Sequence, residues 1–166
     1  MFSRILVPTD FSPASDAAVH YARVLAETFG ATLHLLHVLD DPAATTAFVG
    51  DGYAVDTPDI RAAMLTQVRE RLAHALPLKD RARFHVTSEA LVGMPAAAIV
   101  DYAAATGTSL IVMGTHGRTG LAHLLMGSVA EHVVRTASCP VLTVRQVMAA
   151  EEAAVAATRS RMPIPA

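Results

Sequence analysis

The chain has 166 residues, the usual size of a single domain. Hydrophobic residues make up 52% of it and charged residues 17%, so the chain can bury a sizeable core and is not globally disordered. The formal net charge is −2 without a basic cluster, which argues against a nucleic-acid partner. No apolar run is long enough to cross a bilayer, so we expect no membrane contact. The single cysteine, Cys139, is expected to pack rather than react, and it fits a reducing cytoplasm.

The first forty residues predict a strand, a helix and a second strand. The run RILV at residues 4–7 predicts strand 1. Ser12 and Pro13 are typical of a helix N-cap and first helical position, and Gly30 is typical of the residue after a helix. Strand 2 is expected over residues 31–39. Helical spacing predicts a core face for helix 1 made of Ala17, Ala18, Tyr21, Val24, Leu25 and Ala26.

A long connection follows strand 2. Residues 40–56 are expected to form either a lid or interaction segment or a passive insertion. Helix 2 is expected between Thr57 and Pro77, strand 3 over residues 83–92, and helix 3 from Pro95 to Gly107. The apolar stripe of helix 2, expected to face the core, consists of Ile60, Met64, Val68, Leu72, Ala75 and Leu76.

The segment after residue 109 joins a buried strand to a series of glycines. Residues 110–113 are a short apolar run, typical of strand 4, and the spacing G-x2-G-x9-G-S follows at Gly114, Gly117 and Gly127–Ser128. A strand that leads through glycines into a helix N-terminus presents N–H groups that bind anions, above all phosphate. The spacing alone leaves a connection without a ligand equally open.

The last predicted elements are a helix and a strand. The helix is expected to begin at Ser128, with Glu131 completing a capping box, and strand 5 covers Val141–Val144. The pattern indicates one domain over residues 1–146 and an appendage over residues 147–166, partly helical or disordered. The residues of the last helix expected to face the core are Val129, Val133, Val134 and Ala137.

Five strands alternating with helices predict a doubly wound α/β fold, with a parallel sheet and helices on both faces. If the first three strands step outward in the order 3-2-1, the fourth returns beside strand 1, and ligands of such folds bind at that switch point. Thr9 and Asp10 follow strand 1 and Gly114 follows strand 4, so both candidate stretches border one crevice. This convergence favours a ligand there.

Four features in the proper order resemble the universal stress protein family: ILVPTDFSPAS, MGTHGRTG, the G-x2-G-x9-G-S spacing, and SCPVLTVR. The resemblance covers residues 1–146. It implies an adenine nucleotide alpha hydrolase-like fold with sheet order 3-2-1-4-5 and a homodimer joined through Val141–Val144. The family contains an ATP-binding subclass and a subclass without the glycine motif. Because the motif is complete here, the chain is similar to the ATP-binding subclass.

The resemblance also implies a site for ATP or another adenine nucleotide, with Mg²⁺ as a potential companion. Thr9 and Asp10 would face the adenosine, and Val38 would offer backbone groups to the adenine edge. Gly127 and Ser128 would hold the outer phosphates through N–H groups and the serine hydroxyl. The full implied set is Pro8, Thr9, Asp10, Val38, Met113, Gly114, His116, Gly117, Arg118, Gly127, Ser128 and Val129.

Several of these residues have a structural alternative. Asp10 also fits a turn residue, and Ser128 also fits a helix cap. Arg118 fits an exposed charge as well as a phosphate partner, and His116 is expected to be structural rather than catalytic.

The sequence shows no P-loop lysine motif, no Cys/His zinc pattern and no G-x-S-x-G elbow. It shows phosphate binding without an evident base, so we expect a nucleotide-binding stress-response or regulatory module with at most weak ATPase activity. Two alternatives stay open: a slow ATP-hydrolysing or nucleotide-processing enzyme, and a dimeric interaction protein without nucleotide. The protein partner of such a module is unknown.

Overall fold

The computed structural model describes residues 2–40, 58–115 and 126–145. The predicted loop after Asp40, the turn residues His116, Gly117 and Arg118, and the appendage of residues 147–166 lie outside these ranges. The elements in chain order are β1 (Arg4–Pro8), α1 (Pro13–Phe29), β2 (Thr32–Asp40), α2 (Pro58–His74), α3 (Leu78–Arg83), β3 (Thr87–Gly93), α4 (Pro95–Ala105), β4 (Leu110–Gly114), α5 (Ser128–Thr136) and β5 (Val141–Val144).

The five strands form one parallel sheet in the order β3-β2-β1-β4-β5, which confirms the predicted doubly wound fold. Ile5 of β1 lies opposite Leu33 on one side and Leu110 on the other. The chain runs outward from β1 to β3 and then returns to β4 on the other side of β1. The predicted switch point between β1 and β4 is therefore present.

Two apolar cores cover the two faces of the sheet, because successive residues of a strand point to opposite faces. On one face, Ile5 of β1 belongs to a core with Ala22 of α1 and Leu72 of α2. On the other face, Leu6 belongs to a core with Ile99 of α4 and Val133 of α5, and Val133 was predicted to face the core. All of these side chains are at most 3% exposed.

Both ends of α1 follow the predicted capping chemistry. The Ser15 N–H donates to the Ser12 hydroxyl at 3.3 Å, and Pro13 occupies the first turn. Gly30 follows the helix with φ 65°, a left-handed conformation that glycine adopts without strain.

The predicted core faces of the helices are partly wrong. Tyr21 and Val24 are about half exposed (49% and 51%), because α1 packs on the sheet through a face of smaller side chains. Ile60 and Met64 are also about half exposed, because the residues that α2 buries, Val68 and Leu72, lie in its C-terminal half. Val134 is 45% exposed, because the buried face of α5 is formed by Ala130 and Val133. The residues that α1 does bury are Ala14, Ser15, Ala18, Val19, Ala22 and Ala26.

The predicted start of the third strand at residue 83 is wrong, because Arg83 ends the short helix α3 and β3 begins at Thr87. The Asp80 N–H donates to the Pro77 carbonyl at 2.9 Å and so closes the first turn of α3. Phe84 is buried after the helix, and His85 has a φ of 48°. The apolar signal at Phe84 therefore reflects burial in an irregular connection rather than a strand.

Candidate functional site

A tight turn with internal hydrogen bonds follows the carboxyl end of β1. Thr9 is buried, and its N–H donates to the Leu36 carbonyl at 2.8 Å. The Phe11 N–H donates to the Thr9 hydroxyl, and the Ser12 N–H donates to Oδ1 of Asp10, both at 3.0 Å. Asp10 is therefore a turn residue, one of its two predicted roles, and it holds the start of α1 beside the crevice.

Three side chains outside the predicted set form a stack at this edge, here called the Phe11 stack: Arg71, Phe11 and His37. The Phe11 and His37 rings are stacked with centroids 4.8 Å apart, and Cζ of Arg71 lies 3.9 Å from the Phe11 centroid. His37 is 3% exposed, with Nδ1 at 2.6 Å from the Thr9 carbonyl oxygen. The histidine inside the apolar run of β2 is the sequence feature that could have indicated this contact.

Val38 lies where β2 extends past the end of β1. The β1–β2 pairs stop at Pro8 and Leu36, whereas the β2–β3 pairs continue to Asp40. The Leu36 carbonyl faces β1, since it accepts from Thr9. Backbone groups of residues two apart point to the same side of a parallel strand, so those of Val38 point toward the crevice beyond β1.

Gly114 ends β4 directly against the first turn of α1. A Cβ atom on Gly114 would lie 2.9 Å from the backbone carbonyl carbon of Ala14 and 3.0 Å from its Cβ and oxygen. The missing side chain therefore lets the helix approach the strand closely. This contact brings the start of α1 to the ends of both β1 and β4.

The N-terminus of α5 reaches the same edge through a chain of backbone hydrogen bonds. The Thr115 N–H donates to Val144 at 2.9 Å, and the Gly127 N–H donates to Thr115 at 2.7 Å. The Glu131 N–H then donates to the Gly127 carbonyl at 2.9 Å, as the helix begins. The Gly127 amide, which the resemblance assigned to phosphate, is thus engaged within the protein.

The predicted capping box at this helix is wrong. Gly127 is the N-cap, Ser128 is the first helical residue, and no side chain caps the end. Ser128 lies one position too late for the cap, and Glu131 instead pairs with Arg135 at 2.9 Å, one turn along the exposed surface. Ser128 is exposed, and it shares with Val129 the first helical turn, whose N–H groups point out of the helix.

The remaining predicted residues at this edge serve mainly in packing. Pro8 is buried as the last residue of β1, and the Met113 side chain is 5% exposed within the core between the sheet, α4 and α5. The structure thus brings together the described members of the predicted set at one edge of the sheet: Pro8, Thr9, Asp10, Val38, Met113, Gly114, Gly127, Ser128 and Val129.

Groups with shifted pKa values lie elsewhere. Nδ1 of His34 is 3.3 Å from the Tyr102 hydroxyl; burial, and then the charge of Arg4, lower the pKa of His34. Burial likewise raises the pKa of Tyr102. Burial also raises the pKa of Cys139, which packs against the core under α5. These shifts follow from packing in the fold and do not mark the candidate site.

Within residues 2–40, 58–115 and 126–145, no group of three or more His, Cys, Asp or Glu side chains is placed to hold a metal ion. In the same part of the chain, no helix combines the length and the apolar character needed to cross a membrane.

The fold and the site define a doubly wound α/β protein with a crevice between its first and fourth strands. A sequence model of the universal stress protein family matches residues 1–145, and the chain belongs to this family. Universal stress protein MJ0531 from Methanocaldococcus jannaschii is 34% identical over 146 residues, which are 88% of this chain and 84% of that protein.

Solved structures agree with this assignment. The structure of MJ0577, a universal stress protein from the same organism, matches with a TM-score of 0.69 and 26% identity, covering 90% of this chain and 99% of that chain. A universal stress protein solved in complex with cAMP matches with a TM-score of 0.57 and 25% identity, covering 88% of this chain and 98% of that chain. A relative of this chain therefore binds an adenine nucleotide.

Proposed function

We propose that this protein is a cytoplasmic universal stress protein that binds an adenine nucleotide, ATP above all, and acts as a stress-response or regulatory module. The observation that carries the proposal is the convergence of the Thr9–Asp10 turn, the extended end of β2 and the N-terminus of α5 at one switch-point edge. The solved complex of a relative with cAMP supports adenine as the base.

The nucleoside end of the proposed site lies at β1 and β2. The backbone groups of Val38 point past the end of β1, where the hydrogen-bonding edge of an adenine can pair with them. Thr9 and Asp10 border the same space, and their own hydrogen bonds hold them in place. The turn is therefore ordered before a nucleoside arrives, which lowers the entropic cost of binding.

The phosphate end of the proposed site lies at α5. The N–H groups of Ser128 and Val129 lie in the first helical turn, where the positive end of the helix dipole favours an anion. The exposed Ser128 hydroxyl adds a further donor. Mg²⁺ would arrive with the triphosphate, since the described residues contain no ready cluster of metal ligands.

Isothermal titration calorimetry with adenosine and ATP tests this proposal. Replacing Ser128 with Ala removes a phosphate donor, so we expect ATP to bind about tenfold more weakly while adenosine binds unchanged. Gly127→Val places a branched side chain at the phosphate approach and is expected to abolish ATP binding. Unchanged ATP affinity in folded Gly127→Val, or no binding by the wild type, would overturn the proposal.

We further propose that bound ATP is held rather than rapidly consumed. Two carboxylates near the phosphate and nucleoside ends have structural partners: Glu131 pairs with Arg135, and Asp10 accepts from Ser12. Binding that is equally strong in ground and transition states does not accelerate hydrolysis. Turnover is expected below about 1 s⁻¹, the low end for enzymes. A magnesium-dependent rate above that value, lost in Ser128→Ala, would favour the nucleotide-processing alternative.

A homodimer joined through β5 completes the proposal. β5 is an edge strand of the sheet, and Leu142 is 39% exposed on it. An edge strand presents unpaired backbone groups, and pairing with a symmetry-related copy covers them. Light scattering is expected to give a dimer for the wild type and a monomer for Leu142→Pro. A monomeric wild type at micromolar concentration would contradict this arrangement.

A further inference from the structure

The Phe11 stack joins three separate elements at the carboxyl edge of the sheet. Phe11 lies in the turn after β1, His37 lies in β2 and Arg71 lies in α2. A guanidinium 3.9 Å from a ring centroid is attracted by the negative face of the ring. Through these contacts, α2 reaches the turn that carries Thr9 and Asp10, although α2 supplies no residue to the predicted nucleotide site.

His37 is attached to this turn by a short hydrogen bond. Its Nδ1 lies 2.6 Å from the Thr9 carbonyl oxygen, and a carbonyl oxygen only accepts, so the proton is on Nδ1. The ring is 3% exposed, which shields the bond from water. Removing the donor therefore leaves a carbonyl at the candidate site without this partner.

The turn needs such support because its backbone is strained. Phe11 has a φ of 61°, in the left-handed region, which is unfavourable for a residue with a side chain. Such conformations persist only where their surroundings hold them. The Phe11 N–H is held by the Thr9 hydroxyl, and the Phe11 ring is held by His37 and Arg71.

We propose that the Phe11 stack positions the nucleoside end of the site, with His37 acting through the Thr9 carbonyl and Arg71 acting through the Phe11 ring. This inference rests on the proposed nucleotide binding. Thr9 belongs to the nucleoside end of the site and Ser128 to the phosphate end. Loss of the stack therefore lowers the affinity for adenosine and the affinity for ATP by the same factor. Replacing Ser128 lowers the affinity for ATP alone.

Calorimetric titration of adenosine and ATP into His37→Leu and His37→Asn tests the role of His37. Leucine fills much of the ring's space without a donor, so we expect both ligands to bind about tenfold more weakly. The side-chain amide of asparagine can donate from nearly the position of Nδ1, so affinity in His37→Asn is expected within about threefold of the wild type. Thermal unfolding and the fitted stoichiometry show whether each variant is folded.

Arg71→Met provides an independent test that leaves the core intact, since Arg71 is exposed. We expect both ligands to bind about two- to fivefold more weakly, the size of an exposed cation–π contact. Arg69→Met removes the same charge from the exposed surface of α2 and is expected to bind both ligands like the wild type.

The outcomes separate this inference from the proposed function. A wild type that binds neither adenosine nor ATP overturns the proposed function and the inference with it. A wild type that binds both, together with unchanged adenosine affinity in Arg71→Met and His37→Leu, overturns the inference alone. Equal losses in His37→Leu and His37→Asn also overturn it, because the hydrogen bond to Thr9 would then not be the cause.

Discussion

Gly114 of β4 and Ala14 of α1 are in such close contact that a Cβ atom on Gly114 would lie 2.9 Å from the Ala14 carbonyl carbon. Replacing Gly114 with Ala must push the helix away from the strand, which we expect to destabilise the protein by about 1–3 kcal/mol. Urea unfolding measures this change. Adding Ala14→Gly removes only one of the contacting atoms, so it should recover less than half of the loss. Full recovery would show that the backbone contact is not the obstacle.

We expect the ion pair between Arg23 and Asp80 to contribute far more to the free energy of unfolding than an exposed ion pair does. Nη2 of Arg23 lies 2.6 Å from Oδ2 of Asp80, whose side chain is 6% exposed. Arg23→Met leaves a buried carboxylate without its cation, and we expect a loss of about 3 kcal/mol, the lower end for broken buried pairs because Arg23 is a third exposed.

Arg83 supplies the matched control for this pair. It lies 2.6 Å from Glu27, but both side chains are more than half exposed. Arg83→Met is therefore expected to cost at most about 1 kcal/mol in the same urea unfolding experiment. Equal losses in Arg23→Met and Arg83→Met would contradict the argument from burial.

His34 is expected to make stability depend on pH in mildly acidic solution. Burial lowers its pKa in the folded protein, so the unfolded chain binds the proton more readily. The contribution of neutral His34 to the free energy of unfolding is complete above a pH of about 6.5, the pKa of histidine in the unfolded chain. It is lost as the pH falls toward the lower pKa that His34 has in the folded protein. The free energy of unfolding of the wild type should therefore fall between pH 7.5 and 5.5 more than that of His34→Gln. If the free energies of unfolding of the two proteins fall in parallel over this pH range, His34 does not contribute to the pH dependence.

Cys139 is expected to react slowly in the folded protein. Burial raises its pKa, so less thiolate is present at a given pH, and the thiolate is the reactive form. Since the chain has one cysteine, alkylation by iodoacetamide reports on it alone. The pH–rate profile of the native protein should have a higher midpoint than that of the urea-unfolded chain. A native midpoint at or below the unfolded one would contradict this prediction.

The sequence predicted the sheet and the edge of the candidate site because both depend on simple patterns. The buried parallel strands are nearly continuous apolar runs, as in RILV and LIVM, and glycines and polar residues follow β1 and β4 directly. Carboxyl ends of parallel strands meet at one edge, so Thr9 and Gly114 were placed correctly without knowledge of any contact.

The remaining features depend on tertiary packing that no local pattern reveals. The buried face of α1 is set by how closely Ala14 approaches Gly114, so the larger Tyr21 and Val24 lie outside it. The capping box failed because α5 begins one residue earlier than its sequence pattern indicates, with Gly127 as the cap. The role of His37 depends on the Thr9 carbonyl, a backbone group whose direction is fixed only in the folded turn.

A two-dimensional NMR titration of the ¹⁵N-labelled protein with ATP tests the location of the proposed site most directly. We expect saturable shifts concentrated in the amides of Thr9, Asp10, Val38, Ser128 and Val129. The amides of Thr32 and Ser109, at the amino edge of the same sheet, should shift little. An absence of shifts at millimolar ATP, or shifts centred on the amino edge instead, would contradict the proposal that this crevice binds the nucleotide.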